Sequence, residues 1–326
     1  MDLAQAVLAG DRLALARLLT QVENDTAVGR AAQDALFPAT GKAHVVGVTG
    51  SPGTGKSSLV NCLTRLFRQI EGHLQAKSVA IVAVDPTSPF SGGALLGDRV
   101  RMRDLSGNPG VFIRSMASRG AAGGLARSTS AVVNVLDAAG FDLILVETVG
   151  AGQSEVDVAR LAHTTIVVEA PGMGDEIQAI KAGILEAADI LVVNKADRPG
   201  AEDTERLLHL MLEMGHLDPH TRELPQGGGQ AHLEKWSSPV LRCISTTGEG
   251  VEPVAQAILD HGEYLRESGL WDQRDRERLK STLAILIQEA LVARWRSQVS
   301  EEQMDEWLVR LCDRSVTPFE VVEALI

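Results

Sequence analysis

Apolar residues arrive along this chain in two rhythms. Between residues 43 and 262 they come as short unbroken runs rich in Val, Ile and Leu, at 44–48, 78–84, 111–113, 141–147, 164–169, 190–194 and 239–244. Runs of that length and branching predict strands buried on both faces. Helical spacing fills most of the gaps, and strand alternating with helix predicts an α/β fold with a doubly wound, mainly parallel sheet. On either side the 3.6-residue period takes over. In the N-terminal helical segment, 1–42, Leu13, Ala16, Leu18 and Leu19 follow Gly10-Asp11 at helical spacing, and Phe37-Pro38 ends the run. In the C-terminal helical arm, 263–326, a broad stripe of Leu279, Leu283, Leu286, Ile287, Ala290, Leu291 and Val292 is extended by Trp295, Trp307 and Leu308. A stripe that wide must pack on something, either the sheet or another subunit. The stretch Leu224 to Gln230 reads as a glycine-rich loop.

The first chemical signal follows the first strand. Gly50-Ser51-Pro52-Gly53-Thr54-Gly55-Lys56-Ser57 fits G-x-x-x-x-G-K-[ST], between the strand Val45-Val46-Gly47-Val48 and a helix that opens at Ser58. Glycines allow the backbone to curl so that successive N–H groups face a phosphate, and the helix presents its positive end to the same anion. Lys56 would reach the β/γ-phosphates and the Ser57 hydroxyl would ligate Mg²⁺.

A second motif selects the base. Asn194-Lys195-Ala196-Asp197 ends the strand Ile190-Leu191-Val192-Val193, about 140 residues after the phosphate loop. A carboxylate at Asp197 accepts two hydrogen bonds from guanine, at N1–H and the 2-amino group. Adenine offers no donors there and would leave the carboxylate desolvated and unpaired. Lys195 would lie along the base and Asn194 would tie its loop to the phosphate loop. The expected nucleotide is GTP or GDP rather than ATP.

Carboxylates at strand ends supply the metal candidates, because they face the crevice where an α/β sheet binds ligand. Asp85 closes the second strand, Asp98 sits in Gly92-Gly93-Ala94-Leu95-Leu96-Gly97-Asp98, and Glu147 ends the strand Leu143-Ile144-Leu145-Val146. Hard oxygens of this kind suit Mg²⁺. After Glu147-Thr148-Val149, Gly150 is placed to give a backbone N–H to the γ-phosphate. The next residue is Ala151, so no glutamine stands there to orient an attacking water, and slow intrinsic hydrolysis is expected, accelerated when a partner or moving loop completes the site.

Composition narrows the rest. A 44% hydrophobic content is enough for a sizeable core, although aromatics are only 3%, so aliphatic side chains must fill it. A net charge of −12 without a basic stripe argues against nucleic-acid binding. Cys62, Cys243 and Cys312 match neither a disulfide framework nor a metal knuckle and read as reduced structural thiols. No apolar run approaches the roughly 20 residues that cross a bilayer, and Met1-Asp2-Leu3-Ala4-Gln5 opens without a basic signal region, so a cytoplasmic protein is expected.

Taken in order, these motifs resemble those of the MeaB-type GTPases, also called methylmalonic aciduria type A or ArgK-like proteins. The resemblance covers Gly50 to Ser58, Val84-Asp85-Pro86-Thr87-Ser88, Gly92 to Asp98 and Phe112-Ile113-Arg114 with Gly123-Gly124-Leu125-Ala126. It continues through Glu147 to Glu155, Gly172-Met173-Gly174-Asp175-Glu176-Ile177-Gln178-Ala179-Ile180-Lys181 and Asn194 to Asp197. It implies a P-loop GTPase domain over 43–262 with the arm 263–326 serving dimerisation, a homodimer, and a role as G-protein chaperone of an adenosylcobalamin-dependent acyl-CoA mutase. Such a chaperone gates cofactor loading and ejects damaged cofactor. By the same resemblance Lys56, Asp85, Asp98 and Glu147 form the Mg-GTP site, and the segment Gly172 to Lys181 is an added switch that brings Lys181 and Asp175 to the nucleotide on mutase binding.

The chain also departs from the family. Ile244 and Ser245 replace a usual Ser-Ala pair in the loop where guanine O6 is read by a backbone N–H, and Ser115 stands where the family has Pro. The divergent arm leaves the client open between methylmalonyl-CoA and 2-hydroxyisobutyryl-CoA mutases. Two other classes stay in view. A nickel-insertion metallochaperone would need clustered Cys or His, and only His216 and His220 are close. An amino-acid transport kinase would need ATP, which the N-K-x-D tetrad disfavours. With no D-x-H-x-x-G motif, no directly bound cobalamin is expected.

Overall fold

The computed structural model describes residues 2–69, 76–86, 102–105, 107–118, 124–148, 153–172, 187–213 and 235–325. Seven strands, β1 (His44–Thr49), β2 (Val79–Pro86), β3 (Val111–Ser118), β4 (Leu143–Thr148), β5 (Thr164–Glu169), β6 (Ile190–Asn194) and β7 (Val240–Cys243), form one sheet in the order β3-β2-β4-β1-β5-β6-β7. Every neighbouring pair is parallel. The seven sequence-predicted strands are all present. β3 runs to Ser118, well past the expected end at 113, because it pairs with β2 from Val79↔Val111 through Pro86↔Ser118. As an edge strand it carries polar Arg114 and Ser115, which interrupt the apolar signal without interrupting the ladder.

Successive strand residues serve two cores, as the period of two demands. Val45, Ala80, Val82, Val84, Ile144 and Val146 pack with the N-terminal helices α1 (Leu3–Leu8), α2 (Arg12–Glu23) and α3 (Ala27–Leu36), and with α5 (Gly124–Ala138) and α6 (Gln153–Leu161). Their neighbours Val46, Val48, Ile81, Leu143 and Leu145 pack with α4 (Lys56–Arg68) and α8 (Val251–Glu267). A smaller cluster joins Val167, Leu191 and Val193 to Leu208 of α7 (Ala201–Glu213). Gly47 lets α6 cross β1 closely: a Cβ there would lie 2.8 Å from Val158 Cγ1.

The N-terminal helices are fastened to the sheet by more than apolar contact. Asp11 caps α2 by accepting from the N–H groups of Leu13 and Ala14, and Thr26 caps α3. Arg12 donates to the carbonyls of Pro109 and Val111 at the start of β3, and Arg114 of β3 pairs with Glu23.

The chain divides into two compact units, residues 1–278 and 279–326. The first includes the opening turns of α9 (Leu270–Gln298), which meet the N-terminal ends of β1, β5 and β6 through a buried polar cluster. Asp189 accepts from Thr165 N and, through both carboxylate oxygens, from Arg274; His261 Nε2 lies 3.3 Å away. The Thr164 hydroxyl lies between His44 Nε2 at 2.6 Å and His261 Nδ1 at 2.8 Å. His163 accepts from Val45 N, pairs with Asp275 and stacks on Trp271 at 3.9 Å. Burial, reinforced by the neighbouring His163 and His261, pushes the His44 imidazole well below its ordinary range, and burial lowers His163 against the pull of Asp275. His44 and His163 are far apart in sequence, and the parallel sheet brings their strand origins together beside His261 of α8.

In the second unit, α10 (Glu301–Cys312) opens with a capping box between Ser300 and Gln303, and α11 (Pro318–Leu325) closes the chain. Trp295 Nε1 donates to the carbonyl of Leu325 at 2.8 Å. Among the described residues, Leu283 at 57% and Leu291 at 61% are exposed on the apolar stripe of α9, and Phe319 of α11 reaches 83%.

Candidate nucleotide site

The loop between β1 and α4 has the backbone of an anion cradle. Gly50, Gly53 and Gly55 have φ of 129°, 81° and 96°. At two of them a side chain is excluded by contact as well as by conformation: a Cβ on Gly50 would lie 2.1 Å from Val168 O, and one on Gly55 2.4 Å from Asn194 Nδ2. Gly55 is the N-cap of α4 and supplies no side-chain cap, so the first N–H groups of the helix point to the loop. Lys56 is buried, with Nζ donating to the carbonyls of Gly50 at 2.6 Å and Ser51 at 2.9 Å. Thr54 is buried, whereas Pro52, Gly53 and Ser58 are exposed.

The sheet brings two distant segments to this loop. Ser57 Oγ donates to Glu147 Oε1 at 2.5 Å, and both side chains are buried. From β6, Asn194 Nδ2 donates to Thr54 O at 2.8 Å and Lys195 Nζ to Gly53 O at 2.5 Å. Lys195 holds a left-handed φ of 57°, which turns the chain toward Asp197, exposed at the loop surface. β7 adds a layer: Asn194 Oδ1 accepts from Ser245 N, Ser245 Oγ and Cys243 Sγ.

Gly50 through Ser57, Glu147, Asn194, Lys195 and Ser245 are thus gathered at the C-terminal edge of β1, β4, β6 and β7. Asp85 is the penultimate residue of β2, opposite Ala117, with its side chain outside the described residues. Asp98, Gly150, Asp175 and Lys181 lie outside the described residues, as do His216 and His220. Cys62, on α4, and Cys243, at the end of β7, are site neighbours that nothing in their spacing marks. Glu169, fully buried at the end of β5, is a further carboxylate at this edge of the sheet. Its apolar run was the visible signal, and a carboxylate closing such a run is the pattern that marked Glu147.

Ser57 and Glu147 offer hard oxygen donors in contact with one another, a donor set that fits Mg²⁺ and no soft metal. Among the described residues no group of three or more His, Cys, Asp or Glu side chains could hold a metal ion, and no helix is long and apolar enough to cross a membrane.

Residues 15–300 match the family model described as methylmalonyl Co-A mutase-associated GTPase MeaB. The chain belongs to the MeaB family. A putative GTPase of Pyrococcus abyssi is 40% identical over 325 residues, spanning 100% of this chain and 95% of that protein. The mitochondrial methylmalonic aciduria type A homolog of Caenorhabditis briggsae is 31% identical, over 88% of this chain and 69% of that one. A crystal structure described as LAO/AO transport system kinase matches with a TM-score of 0.70 at 26% identity, covering 99% of this chain and 95% of that one. The fold is that of a P-loop GTPase, and MeaB-family membership carries nucleotide binding and GTP hydrolysis as general properties.

Proposed function

We propose that this chain is a Mg²⁺-dependent GTP hydrolase that serves as G-protein chaperone to an adenosylcobalamin-dependent acyl-CoA mutase. The observation that carries the nucleotide half is Asn194. It bonds the phosphate loop through Thr54 and belongs to the tetrad whose Asp197 matches guanine, so one residue joins the phosphate grip to the base grip. The mutase half is supported by the family description and by the aciduria homolog.

In this reading Gly50, Pro52, Gly53, Thr54, Gly55, Lys56, Ser57 and Ser58 hold the phosphates, with Lys56 leaving its loop carbonyls for the β/γ-oxygens. Asn194, Lys195, Asp197 and the loop at Ser245 hold the base. Ser57, Asp85, Asp98 and Glu147 would hold Mg²⁺, which when bound neutralises phosphate charge. Gly150 contacts the γ-phosphate. Asp175 and Lys181 enter when the mutase binds, and a lysine ammonium brought to the γ-phosphate stabilises charge developing there. Hydrolysis is slow alone and stimulated by the client. The arm 263–326 dimerises the chain through the stripe of α9, whose exposed leucines support that use. The protein acts in the cytoplasm and gates the loading and removal of cobalamin without binding it directly.

GTP turnover by the purified protein, alone and with methylmalonyl-CoA or 2-hydroxyisobutyryl-CoA mutase, tests the reading, with ATP and Lys181→Ala as controls. Stimulation by one mutase, lost in the variant, is expected. GTP bound but never stimulated by either would move the chain toward the metallochaperones, and preference for ATP toward the transport kinases.

A further inference from the structure

Two consecutive residues of β4 grip the phosphate loop at its two ends. Glu147 accepts from Ser57 Oγ at 2.5 Å, at the end of the loop. Thr148 Oγ1 donates to Thr49 Oγ1 at 3.3 Å, one residue before the loop opens at Gly50. Alternate strand residues face opposite sides of the sheet. Glu147 therefore shares the face of α4, and Thr148, like Ile144 and Val146, shares the face of α5 and α6.

The threonine pair takes over where the main chain lets go. The register between β1 and β4 runs from His44↔Leu143 to Val48↔Glu147. At the next step Thr49 is matched to Val167 of β5, and Thr148 to Val84 of β2. The row across the sheet thus reads Val84, Thr148, Thr49, Val167, with two hydroxyls between two apolar side chains. Thr49 is 0% and Thr148 1% exposed, so water does not compete for their bond.

We propose that Thr49 and Thr148 are positioning residues for the γ-phosphate, their hydroxyl bond holding the turn after β4 at the spacing from the phosphate loop that a triphosphate needs. The inference rests on the GTP reading above and deepens it, since it assigns roles to two side chains outside the phosphate and metal sets. Gly150, two residues beyond Thr148, is the γ-phosphate donor of that reading, and Gly50, next to Thr49, opens the loop that holds the other phosphates. A triphosphate has to meet both segments at once, whereas a diphosphate needs the phosphate loop alone. Loosening the link between them therefore weakens triphosphate binding more than diphosphate binding. The Ser57–Glu147 contact cannot serve in this way, because the same reading gives both of those side chains to Mg²⁺.

GDP and the non-hydrolysable triphosphate GppNHp are the probes. Affinities are measured by competition against a fluorescent guanine nucleotide in excess Mg²⁺, for the parent, Thr49→Val, Thr148→Val, the double valine variant and Thr148→Ser. Valine keeps the shape of threonine and suits a strand, so it removes the hydroxyl alone. Each valine variant should cut the GppNHp:GDP affinity ratio about three- to fivefold, mainly through GppNHp. That is the lower part of the range for one net hydrogen bond, in keeping with a 3.3 Å contact that is long for two hydroxyls. Thr148→Ser keeps the hydroxyl and should keep the ratio. The double variant separates positioning from mere stability. It leaves no hydroxyl unmatched and should melt no lower than the single variants, yet its ratio should be as low as theirs and no lower. A ratio unchanged in folded valine variants, restored in the double variant, or cut there by the product of the single losses overturns the proposal, as do equal losses for both nucleotides. If a single variant does not fold, the double variant decides alone. A parent that binds neither guanine nucleotide, or binds ADP as well as GDP, would overturn the GTP reading itself, an outcome distinct from failure of the variants.

Discussion

Ser57 Oγ donates to Glu147 Oε1 across 2.5 Å, joining the first turn of α4 to the end of β4 inside the nucleotide site. A hydroxyl and a carboxylate in contact at the phosphate loop are arranged to share a hard cation. Ser57→Ala and Glu147→Gln should each lower GTP turnover by at least about a hundredfold, the usual cost of removing one electrostatic support for transferring phosphoryl oxygens. Raising Mg²⁺ should recover part of the loss, and EDTA should abolish turnover in the parent. Variants that hydrolyse GTP normally at low Mg²⁺ would remove both residues from the metal site.

Two glycines of the loop differ from a third elsewhere in what surrounds them. Gly50 and Gly55 combine positive φ with a close neighbour, whereas Gly140 has φ of 86° with nothing within 4 Å of a built Cβ. Gly140→Ala should cost only backbone strain, about 1 kcal/mol. Gly50→Ala adds a collision with the backbone of β5 and should cost about 3 kcal/mol or more, lowering the melting temperature by roughly 6 °C or more. Gly55→Ala should cost less than Gly50→Ala because Asn194 can shift, but only by releasing Thr54, so its nucleotide affinity should fall further than its stability. Equal melting temperatures for all three variants would mean that φ alone governs these sites.

Much of this was legible in the chain because the signals were local. The strand-loop-helix context of Gly50 to Ser57 and the apolar run before Asn194 each announce themselves within ten residues, and the alternation of strands and helices implies the parallel sheet. What lay hidden depends on strand order. The meeting of Ser245 with Asn194, of Cys62 with Ser245, and of His44 with Thr164 follows from β1, β5, β6 and β7 lying side by side in register. No spacing in the sequence encodes that. The polar stretch of β3 is silent in the sequence for a related reason: its ladder to β2 is made by backbone, and Arg114 pairs with Glu23.

Asp197 offers a direct exchange of specificity. A carboxylate accepts two bonds from guanine, whereas an amide presents one acceptor and one donor, which suits the 2-oxo group of xanthine. Asp197→Asn should lower GTP affinity by at least about a hundredfold, since a donor of the amide then faces a donor of the base, and should raise XTP affinity. Binding of GTP, XTP and ATP to parent and variant checks this. Unchanged GTP affinity would mean that the base is read elsewhere.

The cluster at the root of α9 makes stability depend on pH. His44 and His163 are buried with proton affinities below the ordinary value, so folding favours their neutral forms. The groups around them are His261, Asp189, Asp275, Arg266, Arg274 and Arg278, and the arginines oppose a further positive charge. A folded state that binds fewer protons than the unfolded chain is destabilised as pH falls. The stability these histidines contribute is therefore present above the unfolded value near 6.5 and is lost as pH drops below it toward their lowered folded values. Urea denaturation between pH 8 and pH 5 should show the loss beginning below about pH 6.5, and His44→Gln should flatten that part of the profile. Asp189→Ala, which takes the carboxylate partner from Arg274 and the acceptor from the Thr165 N–H, should cost about 3 kcal/mol at pH 8. A profile that stays level from pH 8 to pH 5 in the parent would mean that the cluster accepts protons without opening, and that the histidines do not set the acid limit of the fold.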